Sequence, residues 1–217
     1  MIVRPEATPA AALGPLINTL VGPRPIAWVS TVASDGTPNL APFSYFNVAA
    51  ISPTPILMVS QSLRGGSEKD TLTNVRATGE LTICVVTEEV ADVANATSGD
   101  WPAGIDEWDV VGVTPVPSEH VRPPRVGESP AAFECQLLEI VELGTPEQPS
   151  NSLILARVVA IHVDDALVGA DGRVDASRVH LVGRMGGEDW VRTRDRFPMG
   201  RPGGADPDDV RARFNTR

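Results

Sequence analysis

Between residues 26 and 163 the apolar content of the chain comes in short, largely β-branched runs cut off by proline, glycine or Asp-Gly. This punctuation leaves little room for anything but a fold of many short strands. Residues 26–32 read I-A-W-V-S-T-V and are followed by Ser34-Asp35-Gly36-Thr37. Asp-Gly is a strong hairpin signal, because both central residues of the tight turn must accept positive φ. The return segment 39–46 contains Pro42, which removes a ladder donor, so it is expected as an edge, a bulge or a loop. Residues 56–60 (I-L-M-V-S) and 81–87 (L-T-I-C-V-V-T) read as further strands. The two longest runs, 133–143 and 153–163, are joined by the polar link 144–152 and predict an antiparallel pair. Asp171-Gly172 marks another turn.

Helical signals are fewer. A short helix is expected around residues 10–20, and another over 70–78, with Ser67 or Asp70 as cap and Gly79 as left-handed terminator. A third is expected over 88–98, with Thr87 as N-cap, Glu88 and Glu89 in its first turn and Gly99 at its end. Residues 100–130 hold six prolines and read as a long excursion with little regular structure. From residue 196 the chain is rich in Pro, Gly, Arg and Asp and is expected as a loose tail or an arm over a partner. No repeat or linker is visible. The expectation is one mainly β domain over 1–217, a barrel with its core at about 15–195.

With 18 basic and 28 acidic residues the formal charge is -10. That field repels a phosphate backbone, and no basic patch offsets it, so nucleic-acid binding is not expected. An anionic ligand has to be held locally, by a few placed cations and amides. Cys84 and Cys135 lie in apolar runs without CxxC spacing and read as buried free thiols. No apolar stretch is long enough to span a bilayer, and no signal peptide is visible, so a cytoplasmic protein without membrane attachment is expected.

The motifs of dinucleotide folds, P-loops, zincins and serine hydrolases are missing. His120, His162 and His180 are scattered, and His162, inside a strand run, reads as structural. A bound organic cofactor is left as the carrier of any reaction, with no catalytic side chain and no metal assigned. Residues 60–71, S-Q-S-L-R-G-G-S-E-K-D-T, form the best anion site: a strand ends in hydroxyls, a loop carries Arg64, and a helix opens at Lys69, Asp70 and Thr71. Helix-start amides and dipole both favour phosphate there, although an ordinary capped polar loop has the same look. Residues 39–47, N-L-A-P-F-S-Y-F-N, could stack a flat heteroaromatic ring or be an aromatic core strand.

P-R-P-I-A-W-V-S-T at 23–31, the Asp-Gly turn and N-L-A-P-F-S-Y-F-N together resemble the opening of the flavin reductase-like family. Ser52-Pro-x-Pro55, Lys69-Asp70-Thr71, Asn74, E-S-P-A-A-F-E-C at 128–135 and G-R-M-G-G at 183–187 keep the family order. The resemblance covers about residues 15–195. It implies an antiparallel FMN-binding split β-barrel with a few short helices, of the kind found in flavoredoxins and in reductase partners of two-component monooxygenases. By position it implies that Phe43, Ser44, Tyr45, Phe46 and Asn47 line the isoalloxazine. Ser60, Gln61 and Ser62 would reach the ribityl chain and phosphate, Lys69, Asp70 and Thr71 would close the phosphate site, and Arg64 would add a cation. Trp190 stands near a position where the family often has tyrosine, and Arg184 is left either at the flavin or on the surface. The implied activity is reduction of FMN by NADH or NADPH, with electrons passed to free flavin or to an electron-accepting protein. The alternative is a flavoredoxin-like carrier not reduced by nucleotide, and a third is a barrel binding haem or another anion. A homodimer is implied, with residues 100–130 or the tail contributing.

Overall fold

The computed structural model describes residues 1–99, 101, 105–200, 206, 208, 211 and 212. Helix α1 (Ala10–Leu20) leads to β1 (Arg24–Pro25), then to the hairpin β2 (Ala27–Val32) and β3 (Pro38–Phe43), followed by β4 (Phe46–Ala50) and β5 (Ile56–Gln61). Helix α2 (Asp70–Thr78) precedes β6 (Glu80–Val85), and the next segment contributes α3 (Ala91–Ala96), α4 (Glu107–Val111) and the short strands β7 (Pro115–Val116) and β8 (Arg125–Val126). The long strands β9 (Ala131–Glu142) and β10 (Ser152–Val163) follow, then β11 (Val182–Arg184) and β12 (Trp190–Arg192).

Seven strands form one antiparallel sheet in the order β3-β2-β6-β9-β10-β5-β4. The long pair β9–β10 hands the sheet from one half to the other. The early residues of β9 also pair with β6, those of β10 also pair with β5, and two register shifts along the pair bend it. Strands β3 and β4 lie on opposite edges of this sheet, yet only Ser44 and Tyr45 separate them in the chain. Two residues bridge no more than about 11 Å, so the sheet must curl until its edges face each other. The result is a split antiparallel β-barrel, closed at that seam by chain continuity instead of a ladder.

Pro42 is accommodated because β3 is an edge strand. Leu40 N–H points away from β2, toward Glu107, and alternation puts the missing donor of Pro42 on the same open side.

Strand β2 is buried on both faces. Ala27 and Val29 point into the barrel with Leu57, Val59, Leu81 and Ile83, under α2, which adds Leu72 and Val75. Ile26 and Trp28 point outward into a second core with Cys84, Val86, Ala94, Trp108 and Val126. Trp28 Nε1 donates to Thr97 Oγ1 at 3.0 Å.

Of residues 100–130, 100 and 102–104 lie outside the described residues. The rest has little regular structure, as expected, only α4 and the two-residue strands β7 and β8, but it contributes Trp108, Val113 and Val126 to the second core and so covers a barrel wall. Asp106 caps α4 by accepting from Trp108 N–H, and left-handed Gly112 (φ 68°) ends it. Fully buried Glu134 on β9 pins the excursion by accepting from the amides of Glu119 (2.7 Å) and His120 (2.6 Å), and it meets His162 Nε2 at 2.5 Å.

The helix expected over 88–98 is split into a 3-10 turn, Glu88–Val90, and α3, because Val90 leaves helical geometry at φ -112° and ψ 6°. The N-cap of α2 is Lys69, without a side-chain cap bond, in place of Ser67 or Asp70; left-handed Gly79 (φ 72°) terminates it as expected. Most of the tail, 201–205, 207, 209, 210 and 213–217, lies outside the described residues. Among the described residues no helix is long and apolar enough to cross a membrane.

Candidate functional site

The seam borders a furrow made of three adjoining cavities. The first, about 210 Å³, lies between β3 and the start of α2 and is lined by Asn39, Pro42, Phe43, Arg64, Ser67, Lys69, Asp70, Thr71, Ser98 and Glu107 among others. The loop into it is built by Gly65 and Gly66, both at positive φ (56° and 84°). They close a two-residue turn in which Arg64 and Ser67 exchange backbone hydrogen bonds of 2.9 Å each way. The chain then enters α2 with no side chain on its first amides, which leaves them open to the cavity.

A buried polar network sets the helix start. Asn39 Nδ2 donates to Thr71 Oγ1 (2.9 Å) and to Thr31 Oγ1 (3.2 Å), and Asn74 Nδ2 donates to Thr31 Oγ1 (3.1 Å). With its oxygen already accepting, the Thr71 hydroxyl keeps its proton for a ligand. Lys69 Nζ lies 5.4 Å from the Phe43 ring centroid, a cation–π contact that brings charge and aromatic face together. Against these cations stand Glu68, Asp70 and Glu107. Glu107 accepts from Leu40 N–H at 3.4 Å. Burial pushes its carboxyl above the usual range, the amides of Glu107 and Leu40 oppose that, and the charges of Asp106 and Asp70 add to it.

The second cavity, about 190 Å³, shares Pro42, Phe43 and Ser98 with the first and adds Ile26, Ser44, Asn95, Arg184 and Trp190. The Arg184 guanidinium lies 5.4 Å from the Trp190 ring and donates to Gly187 O at 2.8 Å. Arg184 therefore borders the furrow. Beneath it the buried Arg24 donates to Asn18 O (2.6 Å), Val21 O (2.9 Å) and Met185 O (2.9 Å), with Nε 3.5 Å from Ser44 Oγ. This ties α1 and the turn after β11 to the seam. The close approach needs Gly186, where a Cβ would sit 2.3 Å from Thr19 Oγ1 and 2.9 Å from Thr19 Cα. The third cavity, about 310 Å³, shares Asn95 and Trp190 with the second and opens between α3 and β12.

Of the residues singled out from the sequence, the furrow gathers Phe43, Ser44, Arg64, Lys69, Asp70 and Thr71. Tyr45, Phe46, Asn47 and Ser60 instead line a cavity of about 280 Å³ beneath α1, with Ile17, Val21, Met58 and Leu153. Ser60 Oγ accepts from Asn151 Nδ2 at 3.0 Å. Gln61 lies on the inward face of β5 with Leu57 and Val59, only 2% exposed and with both amide atoms unpartnered; Ser62 is exposed and lines none of these cavities. Sequence reasoning left out Asn39, Ser98 and Glu107. Asn39 stood inside the quoted N-L-A-P-F-S-Y-F-N stretch, but nothing local marks Ser98, which reaches the furrow just after α3, or Glu107, which reaches it from the covering excursion.

The sequence profile of the flavin reductase-like domain matches residues 22–177, nearly three-quarters of the chain and most of the furrow. The chain belongs to the flavin reductase-like family. An uncharacterized family relative from Aquifex aeolicus is 36% identical over 188 residues, 86% of this chain and 93% of its own. The structure is similar to that of nitrilotriacetate monooxygenase component B from Bacillus cereus, with TM-score 0.87 and 30% identity over 92% of this chain and 98% of that one. It is also similar to 2-nitrobenzoate 2-nitroreductase from Pseudomonas fluorescens, with TM-score 0.85 and 28% identity over 95% and 98% of the two chains.

The residues present fit the cofactor class this flavin reductase-like family implies. An anionic group would meet open helix amides, Lys69 and the Thr71 hydroxyl at one end, and a flat ring would meet Phe43, Pro42 and Trp190 at the other.

Proposed function

We propose that this chain, a single-domain member of its family, holds FMN along the furrow and serves as an NAD(P)H-dependent flavin reductase. The observation that carries the reading is the convergence of the uncapped start of α2, Lys69 and Thr71 on the cavity floored by Phe43. FMN, when bound, supplies a two-electron acceptor that takes a hydride from a reduced nicotinamide and releases the electrons to free flavin or to a partner protein. The protein's own residues bind and orient. Lys69, the α2 amides and the Thr71 hydroxyl hold the phosphate, with Arg64 adding charge nearby, while Phe43 and Pro42 back the ring. On the open side of β3 the prolines have no N–H and Leu40 N–H is taken by Glu107, so it is the amide and hydroxyl of Ser44, past the end of the strand, that face the ring's polar edge. No side chain is needed as acid or base. The likeness to a monooxygenase component supports a protein or free-flavin acceptor.

A homodimer in the cytoplasm completes the proposal. Helix α1 buries none of its residues; its exposed Ile17, with Val21 after it, lines one cavity with exposed Tyr45, and Leu20, Val48 and Ile51 are exposed apolar side chains as well. A monomeric mass at micromolar concentration would count against the dimer.

Purified protein reconstituted with FMN is expected to be yellow and to bleach anaerobically under NADH or NADPH. Protein that binds FMN, bleaches with dithionite and never bleaches with either nucleotide would falsify the reductase and leave a carrier.

A further inference from the structure

The third cavity is the largest of the furrow, and of the contacts assigned above it shares only Trp190, at its border with the second cavity. It adjoins the ring end, because Trp190 and Asn95 line both. Anything seated in it lies next to the flavin ring, so it suits the body of an electron donor whose reactive end reaches that ring.

Its walls state the chemistry. Glu88 from the 3-10 turn and Asp92 and Asn95 from α3 line one side of the cavity. Opposite them are Trp190 and Arg192. Arg192 Nε bonds Glu88 Oε1, and Arg194 Nη2 lies 2.8 Å from Glu88 Oε2, a charge contact without hydrogen-bond geometry. Two guanidiniums on one carboxylate leave one positive charge in excess within that cluster, which can offset part of a pyrophosphate at that end, while Asp92 brings the cavity as a whole back to neutrality. Asp92 is different. It is exposed and makes no hydrogen bond or ion pair among the described residues. A free carboxylate accepts well from the 2′- and 3′-hydroxyls of a ribose and repels a phosphate ester at the same place.

We infer that this cavity is the docking subsite for the nucleotide half of a dinucleotide donor, and that Asp92 makes it select NADH over NADPH. The inference rests on the reductase reading above and names its donor. Trp190 offers a base or nicotinamide an aromatic face, Arg192 and Arg194 face the pyrophosphate, and Asp92 takes the free diol.

The test uses FMN-loaded protein, wild type and Asp92→Asn, with two readouts. Calorimetric titration with NAD⁺ and NADP⁺ gives binding without turnover, and anaerobic bleaching with NADH and NADPH gives rate. The wild type is expected to favour the non-phosphorylated nucleotide by about tenfold or more in both, the weight of one charged group. D92N is expected to lose most of that preference while FMN affinity stays unchanged, since Asp92 lies outside the flavin cavities. Equal binding of NAD⁺ and NADP⁺, a preference for NADPH, or a ratio indifferent to D92N overturns the NADH assignment and leaves the reductase standing. Failure of both nucleotides to bind and to bleach removes the reductase itself.

Discussion

Asn39, in the edge strand β3, holds Thr71, in the first turn of α2, through a buried hydrogen bond of 2.9 Å between Nδ2 and Oγ1. The bond fixes the distance between β3, which carries Phe43 to the cavity, and the start of α2, the proposed anion site. The threonine oxygen accepts in that bond, so its proton is left to donate elsewhere. Replacing Lys69 and Thr71 together by alanine removes a charge-assisted contact and a hydrogen bond. FMN affinity, read by quenching of flavin fluorescence, is expected to fall roughly 100-fold. Unchanged affinity would mean that the phosphate lies elsewhere.

Glu107 is expected to oppose that anion. Its carboxyl is half-buried, raised by burial and by Asp106 and Asp70, so its charged form is the costly one. Glu107→Gln keeps an acceptor for Leu40 N–H and removes the charge, and FMN affinity should improve several-fold at pH 7. For stability, a carboxyl raised above its ordinary 4.5 helps fully below that value and loses its contribution as pH rises through the raised value. The variant should therefore melt higher than wild type near neutrality and converge with it in acid.

Glu134 carries the opposite sign. Burial raises its carboxyl, but the amides of Glu119 and His120 and the His162 ring outweigh burial and hold it below the ordinary 4.5. Its stabilisation is then present above 4.5 and lost as pH falls through the depressed value. Glu134→Gln turns an NH₂ group toward an amide donor and should cost about 3 kcal/mol at pH 7 in chemical denaturation, shrinking toward low pH. A variant as stable as wild type at pH 7 would show that the excursion is held by its apolar contacts alone.

The two thiols should be silent. Burial pushes both Cys84 and Cys135 up to about 12, and only the thiolate reacts readily. Native protein is expected to take up no alkylating reagent at pH 8, and denatured protein two equivalents, by intact mass. Labelling of the native state would reveal opening of the barrel wall at β6 or β9.

The strands were legible from punctuation: β2, β5, β6, β9 and β10 fall close to the expected runs, because each is short and bounded by residues that cannot continue a ladder. Strand β4 was not, since F-N-V-A-A carries no alternation and owes its extension to pairing with β5. The excursion is poor in regular structure, as its six prolines imply; what they do not show is that its turn of helix and two-residue ribbon are laid on a buried wall. The anion loop was readable because helix starts announce themselves locally. Glu107, Ser98 and Arg184 come to the same furrow from distant parts of the chain, and only the folded topology brings them there. Tyr45 and Phe46 show the limit of reading a contiguous stretch as one site: past Ser44 the chain crosses the seam, and its side chains turn to the cavity under α1.

The gap between the two sheet edges at Ser44 and Tyr45 would give the proposed cofactor a mechanical duty. FMN bound as proposed would act as a clasp, supplying from its own polar edge the fastening that no neighbouring strand provides. Amide hydrogens around the gap should accordingly exchange fastest in the empty protein and slow most on loading, and the melting temperature should climb with FMN concentration. Redox cofactor and structural staple would then be one molecule.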